Sequence, residues 1–99
     1  MYSDNSGSPG TLIASSSSQT ITPDAWNTVS INASVTANTY YWLAYNTNGL
    51  ASNTNNARYD SGGASFAYII SEPFGTWPTT FGPTNTGPNT DTSIYATFQ

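Results

Sequence analysis

Apolar and polar residues alternate along several short stretches of the chain, and this period of two predicts β-strands. In the stretch SIYATF, the side chains of Ile94, Ala96 and Phe98 fall on one face and the residues between them fall on the other. β-Branched and aromatic residues concentrate in seven such stretches, with turn-forming residues between them. The predicted strands are residues 11–15, 19–22, 26–31, 39–46, 57–60, 65–70 and 92–98.

No stretch of ten residues carries apolar positions at helical spacing, so the sequence predicts no helix. Seven short strands in 99 residues predict one all-β domain over residues 1–99, folded as an antiparallel sandwich. The strand TYYWLAYN is apolar on both faces, which is typical either of a central strand or of a strand that a partner covers on one side. We expect the core to contain Trp26, Trp42, Leu43, Ile94, Ala96 and Phe98.

Residues 71–91 have a different composition. They contain four of the six prolines, three of the eight glycines and the aromatic residues Phe74, Trp77 and Phe81. A loop of this length in a small domain is usually functional, disordered or held in place by its own side chains. We expect an ordered excursion across one end of the sandwich.

Charged residues make up only 6% of the chain, and Arg58 is the single basic residue beside five acids. With a net charge of −4 the chain lacks the basic surface that nucleic acids and anionic membranes require. The absence of cysteine excludes disulfides, thiolate nucleophiles and zinc clusters of the cysteine type. A polar composition based on Ser, Thr and Asn favours an extracellular or cell-surface location.

Catalytic chemistry has few candidate residues. The chain has no histidine and no lysine, which excludes the usual partners of a serine nucleophile. Asp60 and Glu72 are the residue types of a glycosidase pair, but nothing in the sequence places them together. We therefore expect a protein that is not an enzyme and that carries no cofactor.

The sequence offers residues for three other chemistries: calcium binding, glycosylation and sugar binding. Calcium could use the oxygen ligands of Asp4, Asn5 and Ser6, or of Asp60 and Ser61, yet Asx turns explain both runs and no metal site is predicted. Asn32 lies in the sequon NAS and is a candidate for glycosylation. Sugar binding would use residues that stack on pyranose rings and donate to hydroxyl groups, and the candidates are Tyr45, Arg58, Tyr59, Phe74 and Trp77. Phe74 and Trp77 would equally serve to pin the long loop.

Six segments of the chain resemble a known family: YSDNSGSPGTLIASSSSQTIT, AWNTVSI, TANTYYWLAYNTN, ARYDSGGASFAY, FGTWPTTF and SIYATF. The family consists of β-sandwich modules in secreted and surface-exposed bacterial and archaeal proteins. The resemblance implies a jelly-roll-like fold in an accessory or repeat unit, and Asn38 stands where the family usually has glycine. Complete members have one or two further strands before the segment that reads YSD here.

If those first strands are missing, Tyr2, Ser3 and Asp4 should form an open edge beside an exposed strip of core. An open edge can pair with a neighbouring chain, and this chain has no lysine to oppose such pairing. We therefore expect a non-catalytic, self-assembling surface module that forms homo-oligomers or filaments. Carbohydrate binding is the alternative function.

Overall fold

The computed structural model describes residues 1–49, 57–61, 67–82, 85–87 and 90–98. Within these ranges there are seven short strands and no helix, and hence no helix that could span a membrane. The strands are β1 (Tyr2–Asp4), β2 (Pro9–Leu12), β3 (Tyr41–Trp42), β4 (Tyr59–Ser61), β5 (Tyr68–Ile69), β6 (Asn85–Thr86) and β7 (Thr90–Thr92). They form an antiparallel three-stranded sheet in the order β2-β1-β3 and two antiparallel pairs, β4-β7 and β5-β6.

The hairpin of β1 and β2 closes through a two-residue turn. The backbone of Asn5 and that of Ser8 exchange hydrogen bonds of 2.8 and 3.3 Å, and both central residues, Ser6 and Gly7, have positive φ angles of 54° and 86°. Positive φ at both central positions defines the turn whose twist matches that of paired strands. The Asp4 carboxylate accepts a hydrogen bond from the Gly7 N–H at 3.1 Å. The sequence DNSG therefore supplies both the turn and the side chain that stabilises it.

A bulge interrupts the same hairpin. Tyr2 lies opposite Leu12 but Asp4 lies opposite Pro9, so β2 contains one more residue than β1 between these pairs. The Thr11 N–H donates to the Ser3 hydroxyl at 3.0 Å. The Ser3 side chain thus accepts a backbone hydrogen bond at the bulge, where the strand pairing is irregular.

The far side of β2 is covered by the proline-rich segment. The Leu12 N–H donates to the Thr79 carbonyl at 2.8 Å, and the Phe81 N–H donates to the Gly10 carbonyl at 2.9 Å. Residues 79–81 therefore act as a short partner for β2. The prediction that 71–91 is one long loop is wrong in part, because β6 and most of β7 lie within it; residues 83–84 and 88–89 of that loop lie outside the described residues.

The predicted open edge at Tyr2, Ser3 and Asp4 is wrong. β1 is the central strand of its sheet, with β2 on one side and β3 on the other. The pairing extends past β1, since the Ile13 N–H donates to the Met1 carbonyl at 3.0 Å. Tyr2 is fully buried, and Ser3 and Asp4 are half-buried.

Four predicted strands overlap observed ones, 39–46 and 65–70 with the shorter β3 and β5, and 11–15 and 57–60 with the displaced β2 and β4; residues 65 and 66 lie outside the described residues. The described residues 19–22 and 26–31 form no strand, and of 92–98 only Thr92 belongs to one. A local pattern shows that a segment suits a sheet, but a strand also requires a partner for its backbone.

Most of the predicted core is exposed. Trp26 is 69% exposed and Phe98 is 68% exposed, while Ile94 and Ala96 are also exposed. Trp42 and Leu43 are half-buried. The exposed four belong to segments that no strand among the described residues holds against the sheet, whereas Trp42 is held by its place in β3.

Candidate binding cleft

A cleft of about 690 Å³ is bordered by residues of the three-stranded sheet, of β5 and of the segment that begins at Glu72. This volume lies within the roughly 300 to 1,000 Å³ that is usual for small-molecule sites. Most of the described residues that border it are apolar or aromatic. The aromatic ones are Tyr2, Trp42, Tyr45, Tyr68, Trp77 and Phe81.

Tyr2 is the buried aromatic residue of the cleft. Its ring meets that of Phe81 edge to face, with ring centres 5.1 Å apart, and its hydroxyl donates to the Pro78 carbonyl at 3.1 Å. Burial raises the pKa of the Tyr2 hydroxyl, and the negative charge of Glu72 raises this pKa further. The hydroxyl therefore stays neutral and remains a hydrogen-bond donor to the proline-rich segment.

Trp42 and Tyr68 form a second aromatic pair in the cleft. Their ring centres are 5.3 Å apart with planes at 80°. The Trp42 indole N–H donates to the Asp4 carboxylate at 2.8 Å, and the Tyr68 hydroxyl donates to the Gly7 carbonyl at 3.3 Å. The hairpin turn thus holds both rings, and both polar groups are used within the protein.

The Asn46 side chain fixes the turn at residues 73–76. In this turn the Thr76 N–H donates to the Pro73 carbonyl at 3.0 Å, and Gly75 supplies the positive φ of 81° that the third position of a type II turn needs. The Asn46 amide donates to the carbonyls of Pro73 and Thr76 at 3.2 and 3.3 Å, and its oxygen accepts from the Gly75 N–H at 3.4 Å. All three hydrogen bonds support the loop.

Two carboxylates, Glu72 and Asp91, belong to exposed residues that border the cleft. The chain has one basic side chain, that of Arg58, and it is paired with Asp24. Neither cleft carboxylate therefore has a basic side chain of this protein as its counter-ion.

The predicted sugar-binding residues are only partly brought together. Tyr45 and Trp77 border the cleft. Phe74 is on the turn at 73–76 and does not border the cleft, and the Arg58 guanidinium is bound by Asp24. Tyr59 is in β4, opposite Thr92. Of the four predicted residues whose side chains the structure describes, two border the cleft.

The remaining candidate residues have simple surroundings. Asn32 is exposed in a segment without helix or strand, as suits a glycosylation site. Both carboxylate oxygens of Asp4 accept hydrogen bonds from the protein, one from Trp42 and one from Gly7. Asp60 lies opposite Asp91 in the β4-β7 pair. Across the described ranges no three acidic, histidine or cysteine side chains gather into a group that could hold a metal ion.

No protein-family model, curated protein or solved structure matches the chain. The resemblance to secreted β-sandwich modules therefore stays a prediction.

Sequence reasoning missed Asp4, Trp42 and Tyr68 as residues of the cleft region. Trp42 was assigned to the core and Asp4 to an edge, because the pattern alone does not show that a turn residue and a strand residue 38 positions apart are hydrogen-bonded. The available signal was the aromatic run YYW, which is too rich in large side chains for a strand with one buried face.

Proposed function

We propose that this protein is a non-catalytic module of the extracellular space or the cell surface that associates with copies of itself through β-strand edges. The observation that carries the proposal is the outer edge of β3. On the side away from β1, β3 makes no backbone hydrogen bond with any other described residue. Unpaired edges are templates for strands of other chains.

The surroundings of this edge favour self-association. Residues 25–57, which include β3, contain no Asp, Glu, Lys or Arg, so the strand itself brings no charge to a contact between two copies; the carboxylate of Asp4 beside it accepts from Trp42. Tyr40, next to β3, is 83% exposed. Proteins usually protect such edges with lysine or proline, and neither occurs in this stretch.

We also propose that the three sheets pack as layers of a jelly-roll-like sandwich. Two ring contacts support this. Trp42 meets Tyr68 of β5, and Tyr2 meets Phe81 of the segment 71–91, so each contact joins the three-stranded sheet to a residue outside its three strands. In this arrangement the cleft is an unfilled part of the space between the layers.

Replacing Tyr40 by lysine is expected to shift the protein toward monomers. The change places a gatekeeper charge beside the β3 edge at an exposed position, so folding should be unaffected. Sedimentation velocity over a concentration series measures the effect. The unmodified chain should show oligomers that increase with concentration.

The matched control is Tyr95→Lys, the same change at a residue that is 65% exposed and lies outside β3. This variant should assemble like the unmodified chain. The proposal is wrong if the unmodified chain sediments as a 10.5 kDa monomer at every concentration, or if both variants lose assembly equally.

Carbohydrate binding is the second candidate, supported by Tyr45 and Trp77 on one cleft. If it is right, Trp77→Ala should abolish retention on a glycan array while the melting temperature stays nearly unchanged. A lower melting temperature with no glycan retained by either protein would assign Trp77 to packing of the loop.

A further inference from the structure

The polar groups of the cleft's aromatic side chains are largely engaged within the protein. The Tyr2 hydroxyl donates to Pro78, the Trp42 indole N–H to Asp4 and the Tyr68 hydroxyl to Gly7. The Asn46 amide, which also borders the cleft, is used by the turn at 73–76. Trp42 and Tyr68 are only half-buried, so a ligand can still meet the π faces of these two rings, which carry partial negative charge; the ring of Tyr2 is fully buried.

The charged groups that border the cleft are of one sign. Glu72 and Asp91 are acceptors only, and the single arginine of the chain is bound by Asp24. The negative charge of Glu72 reaches into the cleft, since it contributes to the raised pKa of Tyr2. A cation in the cleft would therefore meet negative charge without competition from the chain's one basic side chain.

We propose that this cleft binds an organic cation, a quaternary ammonium or an alkylated ammonium group, between its aromatic faces and beside the carboxylates of Glu72 and Asp91. A cation over an aromatic face is attracted by the ring's quadrupole, and tryptophan is the best of the rings. Trp42 and Trp77 both border the cleft. An alkylated ammonium group also presents apolar surface, which suits a cleft whose borders are mainly apolar.

Four polar side chains of the cleft, those of Tyr2, Trp42, Tyr68 and Asn46, are thereby unavailable to a neutral sugar, whose hydroxyls need both donors and acceptors. The inference is also independent of self-association, because the cleft belongs to a single copy.

The test is a titration with choline at low protein concentration, followed by tryptophan fluorescence and by saturation-transfer NMR of the choline methyl protons. The neutral control is 3,3-dimethyl-1-butanol, in which carbon replaces the ammonium nitrogen. We expect saturable binding of choline in the millimolar range and binding of the neutral compound weaker by about tenfold. Raising the salt concentration should weaken choline binding, since Glu72 and Asp91 are exposed and screened.

Glu72→Gln should weaken choline binding on the order of three- to tenfold. Asp60→Asn, the same loss of charge in β4 at a residue that lies opposite Asp91 but does not border the cleft, should weaken choline binding less than Glu72→Gln does. Both residues are exposed, so both variants should fold, and the melting temperature verifies this.

Three results would overturn the proposal. The first is equal binding of choline and its neutral analogue, which would make the cleft merely apolar. The second is choline binding that Glu72→Gln leaves unchanged. The third is no saturable response to choline, and a response to oligosaccharides in its place would reassign the cleft to carbohydrate.

Discussion

Tyr2→Ala is expected to lower the free energy of unfolding by about 3 to 5 kcal/mol, the usual cost of removing a large buried aromatic side chain. Tyr2 is 0% exposed and is the largest fully buried side chain of the described chain. Its loss removes the ring contact with Phe81 and the hydrogen bond to Pro78, which together join the central strand to the proline-rich segment. Urea unfolding followed by circular dichroism measures the change.

Phe98→Ala is the matched control, because Phe98 is equally aromatic but 68% exposed. Its cost should be below about 1 kcal/mol. The sequence alone ranks the two residues in the opposite order, with Phe98 in the core and Tyr2 at an edge. If Phe98→Ala costs more than Tyr2→Ala, the closing segment is packed in solution and the burial described above is wrong.

Tyr2→Phe separates the ring from the hydroxyl and should cost about 1 kcal/mol, the usual value for one hydrogen bond. It should also change the response to alkaline pH. The pKa of Tyr2 is raised in the folded state, so above pH 10 the unfolded chain loses this proton first and the Tyr2 contribution to stability falls as pH rises. Tyr2→Phe should lack that contribution.

Asp4→Ala is expected to destabilise the protein by about 1.5 to 3 kcal/mol, the range for a hydrogen bond to a charged group. The Asp4 carboxylate joins the turn to β3, because one oxygen accepts from the Gly7 N–H and the other from the Trp42 indole. Without it the half-buried indole N–H of Trp42 loses its partner. Urea unfolding by tryptophan fluorescence gives both the free energy and the change around Trp42.

Asp4→Asn keeps one oxygen acceptor and should fall between the wild type and Asp4→Ala. Asp60→Ala removes the same charge from an exposed residue that lies opposite Asp91. It should be neutral or slightly stabilising, because like charges opposite each other in a sheet repel. Equal losses in Asp4→Ala and Asp60→Ala would show that the two hydrogen bonds of Asp4 contribute nothing specific.

The sequence was informative where structure is local. The turn expected at Asp4, Asn5 and Ser6 depends on residue types within a few positions and is present, and the β class follows from the alternation of side chains. It was misleading where a result depends on distant partners. Ile94 and Phe98 have a strand pattern and still lie exposed, and the central position of β1 depends on Trp42, which is 40 residues away. Burial is decided by what covers a face, and one segment's pattern carries no information on that.

The residues of the candidate site were likewise predictable from residue type but not where distant partners decide. Tyr45 and Trp77 were predicted as ligand-binding residues from residue type, and both border the cleft. Arg58 was grouped with them because it precedes Tyr59 in the chain, but its side chain is taken by Asp24, 34 residues away. The chain has one arginine and five acidic residues, and composition does not show which of the five forms the ion pair.

The position of Arg58 beside β4 has a practical consequence for proteolysis. Arg58 is the only residue after which trypsin can cut this chain, and it immediately precedes β4. Because β4 is paired with β7, cleavage requires this short ladder to open. The rate at which trypsin digests the native protein, compared with the rate for the unfolded chain, therefore measures how often the β4-β7 pair opens. Each cleavage after Arg58 yields the same two fragments.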